Sequence, residues 1–226
     1  MEKSMYRRLE CFMRTCMGDS AHDREHIYRV MYTALEIARC EKNVDADVLI
    51  AACLLHDIGR KEQFENPALD HAGIGAEKAQ RFLLECGWDE EFCTCVSQCI
   101  RTHRFRSDCP PESLEARILF DADKLDVTGA VGIARTLLYK GAVGEPLYSI
   151  GDDGVVADGS GDGGPSFFRE YQFKLKGLYT RFYTARGAEL AAQRQKAAVS
   201  FYEDLLSEVQ DSYRNGAGLL AGRLTG

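Results

Sequence analysis

The sequence lacks any long hydrophobic run. Its longest uninterrupted apolar stretch, residues 48–55, is far shorter than the roughly 20 residues that a membrane-spanning helix needs. The first residues also contain no apolar stretch of the signal-peptide type. We therefore expect a soluble, cytoplasmic protein that has no membrane partner.

An excess of positive charge is also missing. The 226 residues include 28 Lys and Arg against 35 Asp and Glu, which gives a formal net charge of −7. Because proteins that bind nucleic acids carry a broad basic face, this balance argues against a polymeric nucleic acid as partner. A hydrophobic content of 45% is enough for a sizeable core, and we expect one domain over residues 1–226.

Cys-x-x-Cys pairs do not occur, although the chain has nine cysteines. The number is odd and there is no secretion signal, so we expect reduced thiols and no disulfide framework. The prediction is that the cysteines are small hydrophobic core residues and do not form a zinc site.

No alternating pattern of convincing strand length appears, and apolar residues recur instead at steps of three and four. This periodicity predicts an all-α, single-domain helical bundle. Helices are predicted from residue 21 to about 40, 45 to 56, 68 or 71 to 86, 88 to about 103, and 113 to about 126. Further C-terminal helices are predicted over about 166–213, among them a long one from about 187 to 213. The Gly- and Asp-rich segment at 151–165 is predicted to be a loop, because it has little apolar surface to bury.

Two short motifs in the first third of the chain contain side chains that can bind metals. His22 and His26 are four residues apart on one predicted helix and share a face, so they can point at a common centre. His56 and Asp57 follow the most apolar helix of the chain. A charged aspartate in that position costs several kcal/mol unless it is paired or bound to a metal.

A third motif, Asp-Ala-Asp-Lys-Leu-Asp, occupies residues 121–126 and supplies three carboxylates after an apolar stretch. On a helix, Asp123 and Asp126 share a face, whereas Asp121 points elsewhere. Asp121 and Asp126 are interpreted as carboxylates at a helix end, paired with Lys124 or Arg117.

Taken together, the motifs are similar to those of a known family. His-Asp-x-x-His-x-x-Arg-Val at 22–30, Leu-Leu-His-Asp-Ile-Gly at 54–59, the 121–126 motif and Gly-Ala-Val-Gly-Ile-Ala-Arg-Thr at 129–136 resemble the HD-domain metal-dependent phosphohydrolase superfamily. The closest resemblance is to its small, single-domain bacterial branch of nucleotide hydrolases. It implies a hydrolase that acts on a small nucleotide, a nucleoside mono-, di- or triphosphate.

The resemblance also implies a set of metal ligands: His26, His56, Asp57 and Asp123. Two imidazoles and two carboxylates leave room for water or substrate oxygens around a divalent ion. The resemblance favours Mn²⁺ or Mg²⁺, with Fe²⁺, Ni²⁺ and Zn²⁺ as alternatives. His22 and Asp23 are then pocket residues or simply cap the first helix turn.

His71 and His103 lie between the second and third motifs, and two interpretations of them stay open. In a subset of the superfamily such histidines bind a second metal ion, whereas in the single-metal branch they face the phosphates. Asp23, His71 or His103 would supply a general acid or base. Catalytic roles are accordingly expected for Asp57, His71, His103 and Lys124.

Basic side chains near the motifs are candidates for binding the phosphate charge of a substrate. The predicted substrate-binding residues are Arg60, Arg104, Lys124 and Arg135. For Lys61 and Arg106, a solvated helix face is an equally good explanation.

Other functions remain open at this point. A cyclic-nucleotide phosphodiesterase fits the same motifs, and a metal-binding regulatory protein with little turnover would retain them. An iron-dependent oxygenase would need a second ion bound by His71 and His103. A homo-oligomer is compatible with the sequence.

Overall fold

The computed structural model describes residues 1–17, 21–104 and 109–224, with the backbone alone described at 21–23. The predictions for the side chains of His22, Asp23 and Arg106 therefore lie outside the described residues. The chain divides into two compact units. Unit 1 consists of Met1–Asp126 and Phe182–Gly187, and unit 2 consists of Val127–Arg181 and Ala188–Gly226.

Helices form nearly all of the regular structure, which confirms the all-α prediction. Among the described residues the one β feature is an isolated antiparallel bridge between Ile150 and Val156. The helices are α1 Lys3–Met17, α2 Ala21–Ala38, α3 Ala46–Leu55, α4 Arg60–Glu65, α5 His71–Glu85, α6 Glu90–Arg101, α7 Leu114–Leu125, α8 Gly129–Ala142, α9 Phe167–Phe173 and α10 Ala185–Ala221. A short 3₁₀ helix covers Leu175–Gly177.

Short polar side chains fix where the helices of unit 1 begin. Asp45, Asp70, Asp89 and Ser113 each accept hydrogen bonds from backbone N–H groups in the first turn of the next helix. Such caps satisfy donors that have no partner within the helix. The predicted starts of α3, α6 and α7 are therefore confirmed to within two residues.

The centre of unit 1 is α3, which is buried on nearly every side and contacts α1, α2, α6 and α7. This explains why its sequence is apolar without an amphipathic stripe. His56 is the C-terminal cap of α3, and Asp57 follows directly. The helix thus delivers both side chains into the interior of unit 1, where they are fully buried or nearly so.

A close contact between backbones brings α5 to the same place. A Cβ atom on Gly59 would clash with the backbone oxygen of His71 and lie 2.8 Å from the backbone nitrogen of Gly75. Only glycine therefore allows the turn after Asp57 to approach the first turns of α5 so closely. His71 lies in that first turn and is buried.

Unit 2 has its own hydrophobic core, formed by aromatic residues that follow the predicted loop. Phe167 and Phe168 are fully buried, and Tyr171 stacks on Tyr202 of α10 with ring centroids 4.0 Å apart. The segment 151–165 contains no helix, as predicted. The prediction of one domain over the whole chain stays a prediction.

All nine cysteines are free thiols. The core interpretation is confirmed for Cys53, Cys93 and Cys99, which are buried. It is wrong for Cys11, Cys40 and Cys95, which are exposed. In the part of the chain that the structure describes, no helix is long and apolar enough to cross a membrane.

Candidate metal centre

Four buried histidines of unit 1 surround one point, and hydrogen bonds fix the orientation of each imidazole. His56 Nδ1 lies 2.8 Å from the backbone oxygen of Cys53, and His103 Nδ1 lies 2.6 Å from that of Ile100. Because a carbonyl oxygen only accepts, each Nδ1 must carry the proton and donate it. The Nε2 lone pairs of both rings consequently face the centre.

His71 has the same orientation, but its acceptor is a side chain. Its Nδ1 lies 2.6 Å from Gln63 Oε1, while Gln63 Nε2 donates to the backbone oxygen of Leu69 at 2.9 Å. The bond to Leu69 settles which end of the amide is oxygen, so Gln63 accepts from His71 Nδ1. The Nε2 of His71 is left with a lone pair.

His26 is held by a carboxylate. Its Nδ1 lies 2.8 Å from Asp126 Oδ2, and Arg29 donates to both oxygens of Asp126 at 2.6 and 2.9 Å. Burial by itself lowers the pKa of His26, but hydrogen bonds to Asp123, Asp126 and Asp57 outweigh it and raise the pKa well above its usual value. His26 thus holds a proton at a position where a cation would otherwise sit.

Three of the inward-facing groups form a first cluster: His26, His56 and Asp123. His26 Nε2 lies 3.2 Å from Asp123 Oδ1 and 3.4 Å from His56 Nε2. His56 Nε2 lies 3.9 Å from the same Asp123 oxygen. These three atoms are close enough to bind one ion.

A second cluster consists of Asp57, His71 and His103, all of them buried. Asp57 Oδ1 lies 3.4 Å from His71 Nε2 and 3.7 Å from His103 Nε2. Its other oxygen, Oδ2, lies 3.5 Å from His26 Nε2 and 3.7 Å from His56 Nε2. Asp57 therefore presents one oxygen to each cluster.

Apart from His26, whose proton an ion would have to displace, the protonation states favour a cation between these groups. Burial lowers the pKa of His56 to about 4 and that of His71 to about 3, so both rings are neutral near pH 7. Burial would raise the pKa values of Asp57 and Asp123, but the adjacent histidines hold both below their usual range. Neutral imidazoles and ionised carboxylates are the forms that bind metals.

Three buried acceptor atoms of the second cluster have no hydrogen-bond partner in the described structure: Asp57 Oδ1, His71 Nε2 and His103 Nε2. Buried polar atoms left in this state cost free energy unless something external satisfies them. A divalent cation with a preference for mixed nitrogen and oxygen donors fits this requirement. The residues present are therefore suited to a metal ion.

The four basic side chains predicted to bind phosphate differ in how close they lie to the metal centre. Arg60 Nε lies 2.9 Å from Asp57 Oδ2, at the centre itself. Lys124 follows Asp123 on α7, and its ammonium lies 4.7 Å from the ring centre of Phe182. Arg104 Nη1 is 3.1 Å from Asp70 Oδ1, next to the start of α5. The remaining one, Arg135, lies on α8 in unit 2, and its role stays a prediction.

Two carboxylates of the third motif have hydrogen-bond partners that the sequence did not indicate, and Lys124 in addition acts electrostatically on Asp121. Asp126 bonds with His26 and Arg29, as described above. Asp121 accepts hydrogen bonds from the backbone N–H of Tyr183 and from both the N–H and the hydroxyl of Thr184, at 2.7 to 3.1 Å. It therefore anchors the segment that leads into α10.

Two residues that orient histidines were missed. Asp126 had a usable signal, since it shares a helix face with Asp123 at a spacing of three. Gln63 had none, because its contact with His71 depends on how α4 packs against α5. Tertiary contacts of this kind cannot be inferred from local spacing.

Known proteins resemble this chain in sequence. An HD domain family model matches residues 24–128, a span that contains both clusters. YpgQ of Bacillus subtilis (strain 168), named an uncharacterized protein, is 29% identical over 194 residues, which are 84% of this chain and 85% of YpgQ.

Solved structures are similar over most of their length. A predicted HD-superfamily hydrolase from an uncultured Thermotogales bacterium is 33% identical, with 89% of this chain and 91% of that chain covered and a TM-score of 0.61. B. subtilis YpgQ in complex with ADP is 26% identical, with 90% and 97% covered and a TM-score of 0.69. The motifs, the helical fold and these relatives agree, and the chain belongs to the HD superfamily of hydrolases.

Proposed function

We propose that the protein is a metal-dependent phosphohydrolase that acts on a small nucleotide, a nucleoside mono-, di- or triphosphate. The observation that carries this proposal is the shared carboxylate of Asp57, with one oxygen toward each of two ligand clusters, the second of them fully buried. The cationic side chain of Arg60 lies beside this carboxylate, as the binding of a phosphate group requires.

His26, His56, Asp57 and Asp123 would hold one ion. Asp57, His71 and His103 would hold a second ion, and this use of the two histidines is favoured over direct contact with phosphates. Their unpartnered Nε2 atoms, both within 3.7 Å of the same Asp57 oxygen, support that choice. Mn²⁺ or Mg²⁺ fits the mixed donor set, as Fe²⁺ also does.

When bound, such ions lower the pKa of a coordinated water and neutralise charge on phosphoryl oxygens. The protein's own residues have separate tasks. Arg60 and Lys124 would bind phosphate oxygens that the ions leave uncompensated, and Arg60 also holds the carboxylate of Asp57 in place. The hydrogen bonds at the four Nδ1 atoms keep every Nε2 directed at the centre.

The nucleotide part of the proposal is supported by the structure of YpgQ in complex with ADP. A second candidate substrate is a cyclic nucleotide. The two adjoining clusters favour it, because paired metal sites suit the attacking and leaving oxygens of a phosphodiester.

The experiment is a panel of nucleoside mono-, di- and triphosphates and cyclic nucleotides, assayed with Mn²⁺ and with chelator. We expect turnover of at least one class with Mn²⁺ and none with chelator or in the Asp57→Ala variant. Asp204→Ala, which removes an exposed carboxylate of α10, is the matched control and should retain full activity. Metal-independent turnover, or full activity of Asp57→Ala, would contradict the proposal.

A further inference from the structure

We propose that a cavity beside α4 binds the nucleoside part of the substrate and that the ring of Phe64 stacks on the base. This inference rests on the proposed function, because it assumes that the phosphates of the same ligand reach the metal centre. It adds a specificity-determining residue that none of the motifs contains.

The cavity has a volume of about 380 Å³. Its lining in the described part of unit 1 comprises Met17, Arg60, Lys61, Gln63 and Phe64. Pockets for small ligands start at roughly 300 Å³ and combine apolar surface with a few polar groups. The cavity meets both conditions.

Two of the lining residues also contact the metal centre. Arg60 lies 2.9 Å from Asp57 Oδ2, and Gln63 accepts the hydrogen bond of His71 Nδ1 at 2.6 Å. The short helix α4 therefore both lines the cavity and holds Asp57 and His71 of the metal centre in place. Arg60 and Gln63 thus link the cavity to the groups that would bind the ions.

Phe64 is the most exposed large hydrophobic residue described, with 89% of its surface accessible. A phenyl ring in this position contributes little to the core, so the fold does not account for it. Phe64 follows Arg60 by four residues and shares its face of α4, about 6 Å along the helix axis. That separation suits a ligand whose planar ring lies about one helical turn from its phosphate.

The charges in the cavity point to the same chemistry. Arg60 and Lys61 supply positive charge, whereas Phe64 and the thioether of Met17 supply polarisable apolar surface. A ligand that carries both an anionic group and a flat ring satisfies both parts. Nucleotides have this combination, and stacking on an aromatic side chain is a general way to bind their bases.

The test compares two probes that the enzyme cannot hydrolyse at the bridge. One is the α,β-methylene analogue of ADP, and the other is methylenebisphosphonate, which has the same bridged phosphorus groups without a nucleoside. Binding to the Mn²⁺-loaded protein is measured by titration calorimetry. The variants are Phe64→Ala, Phe64→Leu and Phe64→Tyr.

We expect Phe64→Ala and Phe64→Leu to bind the nucleotide analogue about ten-fold more weakly, since they lose the stacking surface. Phe64→Tyr retains a ring and should bind it like the wild type. Affinity for methylenebisphosphonate should be the same in all four proteins, because it has no base to stack. Since the ring is exposed, loss of folding is not expected to complicate these comparisons.

The outcomes separate this inference from the proposed function. Equal affinity of Phe64→Ala and wild type for the nucleotide analogue would overturn the inference and leave the hydrolase proposal intact. Parallel losses for both probes would also overturn it, because the ring would then act on the phosphate end. Ring-dependent nucleotide binding without turnover of any nucleotide would support the inference and count against the proposed function.

Discussion

The two ligand clusters share Asp57 but hold their histidines in different ways. In the first cluster, a carboxylate, Asp126, accepts from His26 Nδ1, while the backbone oxygen of Cys53 accepts from His56 Nδ1. In the second, the acceptors are uncharged: the amide of Gln63 for His71 and the carbonyl of Ile100 for His103. A carboxylate partner makes an imidazole a stronger ligand than a neutral acceptor does.

The clusters also differ in negative charge. The first has Asp123 together with Oδ2 of Asp57, whereas the second has only Oδ1 of Asp57. Because charge and ligand basicity favour the first cluster, we expect it to bind an ion more tightly. Adjoining sites built from the same residue types would then differ in their affinity for the same ion.

The largest expected effect follows from removing what the clusters share. Asp57→Ala takes one oxygen from each, so the metal content should fall from about two ions per chain to near none. Elemental analysis of protein dialysed against Mn²⁺ measures this. Retention of a single ion would show that Asp57 serves only one cluster.

Next in size is the effect of removing one histidine from one cluster. His103→Gln should leave about one ion per chain, whereas His56→Gln should remove the tighter ion and weaken the other. Mn²⁺ titration followed by electron paramagnetic resonance separates the two affinities. A wild-type protein that binds only one ion, with His103→Gln unaltered, would overturn the assignment of the second cluster.

A smaller effect is expected from the residues that orient the histidines. Asp126→Asn should weaken the first site by about ten- to a hundred-fold, and Gln63→Leu should weaken only the second by a similar or smaller factor. The matched measurement is the pair of Mn²⁺ affinities in each variant. Loss of both affinities in Gln63→Leu would mean that its role is general packing.

Much of this arrangement was within reach of the sequence. The resemblance named His26, His56, Asp57 and Asp123. These residues lie on or next to helices whose caps and apolar periodicity can be recognised in the sequence. The structure brings these four together, and their role as ligands stays a prediction. The position of Asp57 between two clusters was not predictable. It depends on the close backbone contact that Gly59 allows with the first turn of α5, which places His71 beside Asp57.

Helices α1, α4 and α8 were not predicted. α4 has only six residues and contains no buried side chain, so it lacks the periodic apolar stripe on which such predictions depend. The same short helix carries Arg60, Gln63 and Phe64. Residues that line a site without entering the hydrophobic core do not contribute to the periodic apolar pattern, so this pattern does not predict them.

The smallest expected effect is on the pH dependence of the free energy of unfolding. It tests the contrast between the neutral His71 and the protonated His26. In the folded, chelator-treated protein the pKa is about 4 for His56 and about 3 for His71. In the unfolded chain both return to about 6.5. As the pH falls below 6.5, the unfolded state binds protons that the folded state does not, so the free energy of unfolding should decrease.

Each of these two histidines contributes a slope of about 1 kcal/mol per pH unit between roughly pH 6 and 5. His26 has the opposite shift, so over that range it is protonated in the folded state and mostly protonated in the unfolded state, and it adds only a small slope of opposite sign. Urea unfolding at several pH values should therefore give a shallower dependence for His71→Gln than for wild type and a nearly unaltered one for His26→Gln. If His26→Gln instead flattened the curve, His26 would be neutral in the folded protein, and the contrast between a carboxylate-held and an amide-held imidazole would fail.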